Sequence, residues 1–470
     1  KKLFMTNQIK KVGVIGAGTM GAGIAGQVAN AGVEVWLLDL PSEGENVNSL
    51  AAKGLERLKD PDMPGLMSKE AESLIRIGNT RDHFHQLEDC DWIAEAVVER
   101  LDIKQALYQK LNESCKESTI ITSNTSTIPI SLLTKGMPKK FCERFAITHF
   151  FNPVRFMRLL ELVRGEFTRD EVIDTLDLFS EKILGKGVVS CQDTPGFLAN
   201  RVGVFAIQCA LHKAFEYKLS PTEADAFFGR PLGLPKTGVF GLYDLIGIDL
   251  MADVVKSLVS ILPENDAFHK YSSQIKFMSK MIANGQTGNK NEKGFYKQIG
   301  DERQVIDLSN GSYGPHERLK TPLLEEAEKI GISFIIKDTS PYGLYIWDVI
   351  SETLCYAASL VPEVTDDLTQ IDDAMKLGYN WVQGPFELLD EIGIKYFVDR
   401  LQADGKDVPE FLLKGINNKF YINSKSGLSS LSPSGNLKPI IRPDGVLRFS
   451  EVRQTLKAIN SNESASWFEY

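Results

Sequence analysis

The segment from residue 11 to residue 39, KVGVIGAGTMGAGIAGQVANAGVEVWLLD, constrains the fold more than any other part of the chain. An apolar run at 12–15 has the length of one buried strand, and an Ala-rich helical stretch follows it after a short glycine loop. A second apolar run at 33–38 then ends at an aspartate. This order of strand, glycine loop, helix, strand and acid is typical of a dinucleotide-binding βαβ unit.

The glycine loop, GAGTMG, supplies three glycines with separate expected roles. Gly16 would make the tight turn, Gly18 would let a pyrophosphate approach bare backbone, and Gly21 would allow the helix to pack closely on the strand. The phosphates would lie against the free N–H groups at the helix start, at Thr19 and Met20. A glycine-rich turn in some other α/β unit is the alternative interpretation.

Asp39 follows Gly21 at about the spacing expected for a carboxylate that accepts a hydrogen bond from a ribose 2′-OH. The same carboxylate would repel a 2′-phosphate, and the next residues, Leu40 and Pro41, offer no arginine to accommodate one. We therefore expect NAD rather than NADP. Arg57 and Lys59, on or beside a helix predicted over 43–58, could contact a cofactor phosphate, but a solvated helix face is the favoured interpretation.

Composition limits the class of protein. The 470 residues predict several domains with large cores, and 43% hydrophobic and 24% charged residues are typical of a globular protein. A net charge of −9 without a basic stripe argues against nucleic acid. The six cysteines are scattered without a C-x-x-C pair, which favours free thiols in a cytoplasmic protein and no metal site. No apolar run has membrane-spanning length and no signal peptide is visible; KKLF before Met5 is interpreted as a remnant outside the fold.

Apolar runs continue to alternate with helical stretches up to about residue 190, which predicts an α/β fold with a doubly wound, mostly parallel sheet of the Rossmann type. Ligands collect at the carboxyl ends of the strands in such sheets. Four polar residues fall at predicted strand ends: Asp39, Glu99, Ser126 and His149. The predicted strands are 92–98, 118–123, 144–149, 159–163 and 186–191, and the predicted helices are 43–58, 68–75 and 101–115.

His149 is the candidate for acid–base chemistry, although a histidine after an apolar strand is often only a structural residue. Glu161 follows a loop that can return the chain, so its carboxylate could hold the imidazole in one tautomer and stabilise its protonated form. Ser126 and Asn200 could donate hydrogen bonds to a substrate oxygen. The other histidines are interpreted as surface residues; they are His83, His85, His212, His269 and His316.

Seven motifs occur in the order found in L-3-hydroxyacyl-CoA dehydrogenases: GAGTMGAGIA, AEAVVERLDIK, SNTST, THFFNPV, LLELV, DTPGFLANR and KGFY. The chain resembles this family from about residue 11 to residue 296 and more faintly to about 401. The resemblance implies that His149 is the catalytic base, Glu161 its partner, and Ser126 and Asn200 substrate ligands. It further implies cofactor contacts for Asp39 at the ribose and for Glu99, Lys104 and Asn152.

The second half of the chain is helical with Gly and Pro punctuation, and it contains a repeat. GVFGLYDLIGI at 238–248 matches GPFELLDEIGI at 384–394 in seven of eleven positions, and the preceding prolines, Pro195 and Pro341, lie equally far upstream. A duplication is therefore favoured over a coincidence of helical periodicity. Ile346 then aligns with Asn200, so the second copy lacks the polar residue and is interpreted as non-catalytic.

The expected architecture is thus a Rossmann-type α/β domain followed by two repeated all-α domains. The expected ranges are 9–190 for the NAD-binding domain, 191–297 for the first helical copy, 298–340 for a linker, 341–423 for the second copy and 424–470 for a Ser/Gly/Pro-rich linker and tail.

The resemblance implies NAD-dependent oxidation of L-3-hydroxyacyl-CoA to 3-ketoacyl-CoA in fatty-acid β-oxidation, with an acyl-CoA substrate and no membrane partner. A dehydrogenase of a small hydroxy acid without CoA, and a non-catalytic nucleotide-binding relative, are the alternatives. A longer parent protein with an enoyl-CoA hydratase domain also fits. Because the two helical copies are tethered, we expect a monomer in which they pair as a subunit dimer would.

Overall fold

The computed structural model describes residues 9–424, 427–442, 445–446, 448–449, 451, 456–462 and 465–468. The expectation for KKLF concerns residues outside this set. The chain forms two compact units. The first contains the chain up to Phe197, with 423–429 and the part after 438, and the second contains 198–422 and 430–438.

The first unit is built on one eight-stranded sheet in the order β3-β2-β1-β4-β5-β6-β7-β8. Neighbouring strands run parallel except for the pair β6 and β7. The order reverses between β1 and β4, and such a switch point opens a crevice at the carboxyl ends of the strands. The strands are β1 (Lys11–Ile15), β2 (Glu34–Asp39), β3 (Ile75–Asn79), β4 (Trp92–Glu95), β5 (Ile120–Ser123), β6 (Phe145–Phe150), β7 (Leu159–Arg164) and β8 (Gly187–Gln192).

Helices cover the two faces of this sheet, so the central strands are buried on both sides and read as continuous apolar runs. Val12 and Val14 of β1 and Leu37 of β2 are fully buried in the resulting core. The helices of this unit are α1 (Thr19–Asn30), α2 (Ser49–Arg57), α3 (Lys69–Ser73), α4 (Leu101–Ser114), α5 (Ile130–Leu133), α6 (Lys139–Cys142) and α7 (Asp170–Lys182).

The doubly wound, mostly parallel sheet predicted from the sequence is confirmed. Its outermost strand β3 was not predicted, because only two of its five residues, Ile75 and Ile77, are large and apolar. The strand ends lie level: Ile15 of β1 pairs with Glu95 of β4, Glu95 with Ser123 of β5, and Ser123 with Ile147 of β6. The polar residues that follow these strands therefore share one edge of the sheet.

The second unit is mainly helical and contains both copies of the repeat. The long helix α8 of the first copy packs against α15 and α16 of the second. The helices are α8 (Ala199–Glu216), α9 (Pro221–Phe227), α10 (Phe240–Ile246), α11 (Ile248–Ile261), α12 (Lys276–Ala283), α13 (Pro322–Ile330), α14 (Ile332–Ile335), α15 (Pro341–Ser359), α16 (Leu368–Gly378), α17 (Pro385–Ile392), α18 (Ile394–Ala403) and α19 (Glu410–Gly415).

Each copy contains an aspartate that joins one helix start to a distant tyrosine. In the first copy, Asp225 accepts from the backbone N–H of Phe240 at 2.7 Å and from the Tyr296 hydroxyl at 2.8 Å. In the second copy, Asp372 accepts from the backbone N–H of Phe386 at 2.9 Å and from the Tyr421 hydroxyl at 2.8 Å. Burial raises the pKa of Asp372 well above its usual range and that of Asp225 to about 7.

A second aspartate recurs in the same way. Asp244 accepts from the backbone N–H groups of Phe295 and Tyr296 at 2.8 and 2.7 Å. Asp390 accepts from those of Phe420 and Tyr421 at 2.8 and 2.9 Å. The matched contacts extend the duplication beyond the eleven-residue motif to the FY pair that closes each copy.

Two predicted linkers are wrong as descriptions of structure. The range 298–340 contains the strands β10 and β11 and the helices α13 and α14, and the range 424–470 contains several strands. A three-stranded sheet thus follows the FY pair of each copy, which the all-α expectation did not include. The strands are β9 (Tyr296–Ile299), β10 (Glu302–Ile306), β11 (Tyr313–Pro315), β12 (Tyr421–Ser424), β13 (Gly427–Leu431), β14 (Leu437–Pro439), β15 (Ala458–Ser461) and β16 (Ser466–Phe468).

Candidate active site

The glycine loop connects β1 to α1, and its three glycines differ in what surrounds them. Gly16 has a positive φ of 99°, and a Cβ atom there would lie 2.4 Å from the carbonyl oxygen of Ala96. A Cβ atom on Gly21 would lie 1.7 Å from the carbonyl oxygen of Gly16. Gly18, at the start of α1, faces open space and is exposed, as is Thr19. The loop therefore offers bare backbone beside a helix N-terminus, a cradle suited to a pyrophosphate.

Asp39 closes this cradle at the end of β2. One oxygen accepts from the backbone N–H of Ala17 at 2.6 Å, and the other accepts from that of Leu40 at 2.6 Å. These bonds fix the carboxylate beside the loop while leaving lone pairs for a ribose hydroxyl. Arg57 is exposed, as a solvated helix face would be, yet its guanidinium donates to the carbonyl oxygen of Ala17 at 3.0 Å. Met20, also predicted to bind cofactor, is half-buried in the first turn of α1.

A buried ion pair lies at the end of β4. Glu95 is fully buried and accepts from the Lys104 ammonium at 2.6 Å, from the Tyr108 hydroxyl at 2.5 Å and from the Ser123 hydroxyl at 2.7 Å. Lys104 is only 1% exposed, and it also lies 3.3 Å from Glu99. Lys104 is thus connected to the candidate site by its contact with Glu99, because its own side chain has almost no exposed surface. Sequence reasoning missed Glu95, whose signal was a lone acid inside an apolar run.

Glu99 is the more exposed of the two carboxylates and organises the loop after β5. It accepts from the hydroxyls of Thr125 and Thr127, the latter at 3.0 Å. Ser126 lies between these threonines and is half-buried. Asn124 accepts from the backbone N–H of Phe150 at 2.9 Å, which ties this loop to the end of β6. The predicted residues Glu99, Lys104 and Ser126 therefore belong to one connected region.

His149 and Glu161 lie directly opposite each other in the antiparallel pair β6 and β7, so their side chains share a face of the sheet. The Nδ1 atom of His149 lies 2.7 Å from a carboxylate oxygen of Glu161. Glu161 is fully buried and His149 is 7% exposed. Among the described residues no partner for Nε2 occurs, so this nitrogen is the one that a substrate could meet.

The surroundings of the pair are largely apolar. The ring of Phe151 lies 4.5 Å from the imidazole and that of Phe197 lies 6.0 Å away, centroid to centroid. The Cys191 thiol lies 3.8 Å from the other carboxylate oxygen of Glu161. Burial, reinforced by that carboxylate, holds the pKa of Cys191 well above its usual range, so the thiol stays neutral. Glu161 therefore directs its charge toward the imidazole.

Two of the predicted site residues remain, Asn152 and Asn200. Asn152 is exposed in the turn after β6. Asn200 belongs to the second compact unit, in the first turn of α8, where its side-chain oxygen accepts from the Tyr379 hydroxyl at 3.1 Å. Of the five histidines interpreted as surface residues, only His85 is exposed and the other four are half-buried, which corrects that expectation.

Within the described residues no cluster of His, Cys, Asp and Glu could hold a metal ion, and all six cysteines are free thiols. No helix in that part of the chain has the length and apolar character needed to cross a bilayer. The residues described above can supply proton transfer at His149, hydrogen bonding at the loop hydroxyls and nucleotide binding at the glycine loop.

Comparison with known proteins shows which family the chain resembles. The family model described as "3-hydroxyacyl-CoA dehydrogenase, NAD binding domain" matches residues 11–194, and the one described as its C-terminal domain matches 196–298. A Deinococcus radiodurans protein named "Probable 3-hydroxyacyl-CoA dehydrogenase" is 40% identical over 298 residues, and the match covers 85% of it. The chain belongs to the 3-hydroxyacyl-CoA dehydrogenase family. NAD is thus the cofactor for which the glycine loop of this family member is built.

Longer relatives of this dehydrogenase family exist. A Rickettsia prowazekii protein, provisionally named a fatty acid oxidation complex trifunctional enzyme, is 41% identical over 395 residues, which is 82% of this chain and 53% of that protein. The chain therefore spans about half the length of this relative. A solved structure of 3-hydroxybutyryl-CoA dehydrogenase from Escherichia coli shares the fold, with a TM-score of 0.65, 23% identity, and coverage of 87% of this chain and 98% of that one.

Proposed function

We propose that this chain catalyses the reversible, NAD-dependent oxidation of an L-3-hydroxyacyl-CoA to the 3-ketoacyl-CoA in fatty-acid oxidation. The observation that carries the proposal is the 2.7 Å contact between His149 and the buried Glu161 at the sheet edge that also bears the glycine loop. A proton acceptor and a dinucleotide cradle at one sheet edge are what a dehydrogenase requires.

Residues on this chain would hold the cofactor in a defined direction. The glycine loop and the first amides of α1, at Gly18 to Met20, would bind the pyrophosphate, and Asp39 would accept from the adenosine ribose. Glu99 and the hydroxyls around Ser126 would line the other end of the cofactor, with Lys104, itself paired with the buried Glu95, holding Glu99 in place. When bound, NAD supplies the acceptor for the hydride that leaves C3.

His149 would manage the proton. In the oxidation direction its Nε2 takes the proton of the 3-hydroxyl while the electron pair of the C3–H bond leaves as hydride, so the carbon becomes a ketone. Glu161 holds Nδ1–H and stabilises the imidazolium that forms. In the reduction direction the same imidazolium returns the proton to the alkoxide. Ser126 and Asn200 would donate hydrogen bonds to substrate oxygens and so orient C3.

The leading rival is a dehydrogenase that acts on a small hydroxy acid without CoA, and a non-catalytic nucleotide-binding relative is the second. One assay separates the three. NADH oxidation by the full chain should proceed with acetoacetyl-CoA and be far slower with free acetoacetate. Equal rates would favour the first rival, and no turnover with either substrate despite NADH binding would favour the second.

We further propose a domain organisation in which 9–197 is the NAD-binding domain, about 198–315 the first helical copy and about 341–439 the second. Contacts within the second unit support pairing of the copies: the Tyr217 hydroxyl donates to Asp348 at 2.9 Å, and the Tyr345 hydroxyl donates to the Ala210 carbonyl at 3.2 Å. The second copy would then replace a partner subunit and make the protein a monomer. A dimer held through the helical copies, seen by light scattering, would contradict this.

The setting of the activity is proposed from similar proteins. The name of the Rickettsia prowazekii relative, a fatty acid oxidation complex trifunctional enzyme, supports a role in fatty-acid oxidation. Six free thiols support a reducing, cytoplasmic compartment. Recovery of the protein from cells with its cysteines paired in disulfides would contradict a reducing compartment and would leave the proposed reaction unaffected.

A further inference from the structure

The second helical copy reaches the one candidate substrate ligand that lies in the helical unit. Tyr379 follows α16 directly, and its hydroxyl donates to the side-chain oxygen of Asn200 in the first copy at 3.1 Å. The two residues are 179 positions apart in the chain. No local sequence signal could have joined them, and the contact exists only because the copies pack on each other.

The fit between Tyr379 and α8 is specific. Gly203 lies one turn after Asn200, and a Cβ atom there would come within 2.1 Å of the Tyr379 ring. Glycine is unfavourable in a helix interior, so its presence in the buried part of α8 has a packing reason, namely room for this ring. The Tyr379 ring therefore packs into a space that Gly203 leaves for it on α8.

The same turn of α8 is held by the second copy at another point. Arg201 is 1% exposed, and its guanidinium donates to the Tyr356 hydroxyl at 3.3 Å while pairing with Asp266. The ring of Tyr356 also stacks on Phe205 of α8, with centroids 4.2 Å apart. The second copy thus packs against the start of α8, which carries Asn200.

A phenol hydroxyl is a better hydrogen-bond donor than acceptor, so it favours the orientation in which the amide oxygen, rather than the amide nitrogen, faces it. With its oxygen on the Tyr379 hydroxyl, Asn200 turns its two N–H donors away from the phenol. A thioester or keto oxygen can use only such donors. Without the phenol, the amide could present its oxygen instead and repel the substrate carbonyl.

We propose that Tyr379 is a positioning residue for substrate binding: it orients the Asn200 amide so that its N–H groups face a carbonyl oxygen of the acyl-CoA. The inference rests on the proposed role of Asn200 in the dehydrogenase. The second copy, whose own counterpart of Asn200 is the buried Ile346, then contributes to substrate binding through Asn200 of the first copy.

The direct test is Tyr379→Phe in the full chain, which keeps the ring over Gly203 and removes only the hydroxyl. We expect kcat/KM for acetoacetyl-CoA to fall roughly three- to tenfold, as for loss of one hydrogen bond, while KM for NADH is unchanged. Tyr342→Phe is the matched control: its hydroxyl donates to Glu223 at 2.7 Å between the same two copies, and its ring stacks on Phe227. That control should leave the kinetics unchanged.

A double-mutant cycle distinguishes a failure of the positioning role of Tyr379 from a failure of the proposed role of Asn200. In an Asn200→Ala background, Tyr379→Phe should cause no further loss, because the group that it orients is gone. An equal loss in both backgrounds, or no loss in either, would overturn the positioning role. If Asn200→Ala itself leaves kcat/KM unchanged, Asn200 is not a substrate ligand, and the positioning role of Tyr379 is refuted with it.

Asn200→Asp covers the case in which Tyr379→Phe does not fold. This variant keeps an oxygen for the phenol but has no N–H donor, so it should lose activity as severely as Asn200→Ala. Retention of near wild-type kcat/KM by Asn200→Asp would show that the N–H groups do not serve the substrate and would refute the proposed orientation.

Discussion

Replacing Glu161 by Gln tests the proposed catalytic pair with the smallest change of shape. The glutamine can still accept the Nδ1–H bond of His149, so the tautomer and the fold should survive. What is lost is the negative charge next to an imidazolium that forms during oxidation. Glu161 is fully buried and the Cys191 thiol beside it stays neutral, so that thiol cannot replace the lost charge.

The magnitude follows from the 2.7 Å separation. Two unit charges at that distance attract by at most ~6 kcal/mol at an effective dielectric constant of about 20. The difference between a charged and a neutral hydrogen bond gives a lower bound of about 1 kcal/mol. A transition-state loss of roughly 3–4 kcal/mol lies between these bounds and corresponds to a fall in kcat of about 10²–10³.

The assay is steady-state NADH oxidation with acetoacetyl-CoA, together with a thermal melt. Glu166→Gln makes the same chemical change on an exposed carboxylate just after β7 and should leave kcat unaltered. His149→Gln should be at least as damaging as Glu161→Gln, and the double variant no worse than the worse single one. A kcat for Glu161→Gln within about threefold of wild type, or multiplicative losses in the double variant, would refute the reasoning.

Three further outcomes are expected. NAD should be strongly preferred over NADP because Asp39 would repel a 2′-phosphate, and equal kcat/KM values with both cofactors would exclude its proposed role. Gly18→Ala should raise KM for NADH at least roughly tenfold without lowering Tm, whereas Gly21→Ala should lower Tm because its Cβ would lie 1.7 Å from a carbonyl oxygen; the reverse pattern would contradict the assigned glycine roles. Burial raises the pKa of Asp225 to about 7, above its unfolded value of about 4. Between these two pH values the folded protein holds a proton on Asp225 that the unfolded chain has lost. The free energy of unfolding should therefore fall as pH rises from about 4 to about 7. Asp225→Asn should flatten that fall in Tm measured across pH, and an unchanged slope would exclude Asp225 as its source.

The parts of the site that could be predicted are those with a local signature. The glycine loop and Asp39 have fixed spacing along the chain, and Glu161 follows His149 closely enough for a hairpin-like return to bring them together. The sheet followed from alternating apolar runs, except for β3, whose short sequence IRIGN lacks a continuous apolar run. These features depend on period and spacing, which a single sequence displays.

What could not be predicted depends on contacts between distant residues. Glu95 is a single acid inside an apolar run, and only the fold brings Lys104, Tyr108 and Ser123 to it. Tyr379 meets Asn200 across 179 residues. The range 424–470 is predicted to be a Ser/Gly/Pro-rich linker and tail, yet the strands β13 and β14 within it pair in one sheet. Composition indicates how a segment behaves alone, whereas strand pairing also depends on its neighbours.

The central claim is that His149 accepts the 3-hydroxyl proton of an L-3-hydroxyacyl-CoA. It is tested most directly by NADH formation from L-3-hydroxybutyryl-CoA and NAD, comparing the full chain with its His149→Gln variant. We expect steady NADH formation by the wild type and a loss of at least ~10²-fold in the variant, with an unchanged Kd for NADH. NADH formation by the variant at a rate near that of the wild type would contradict it.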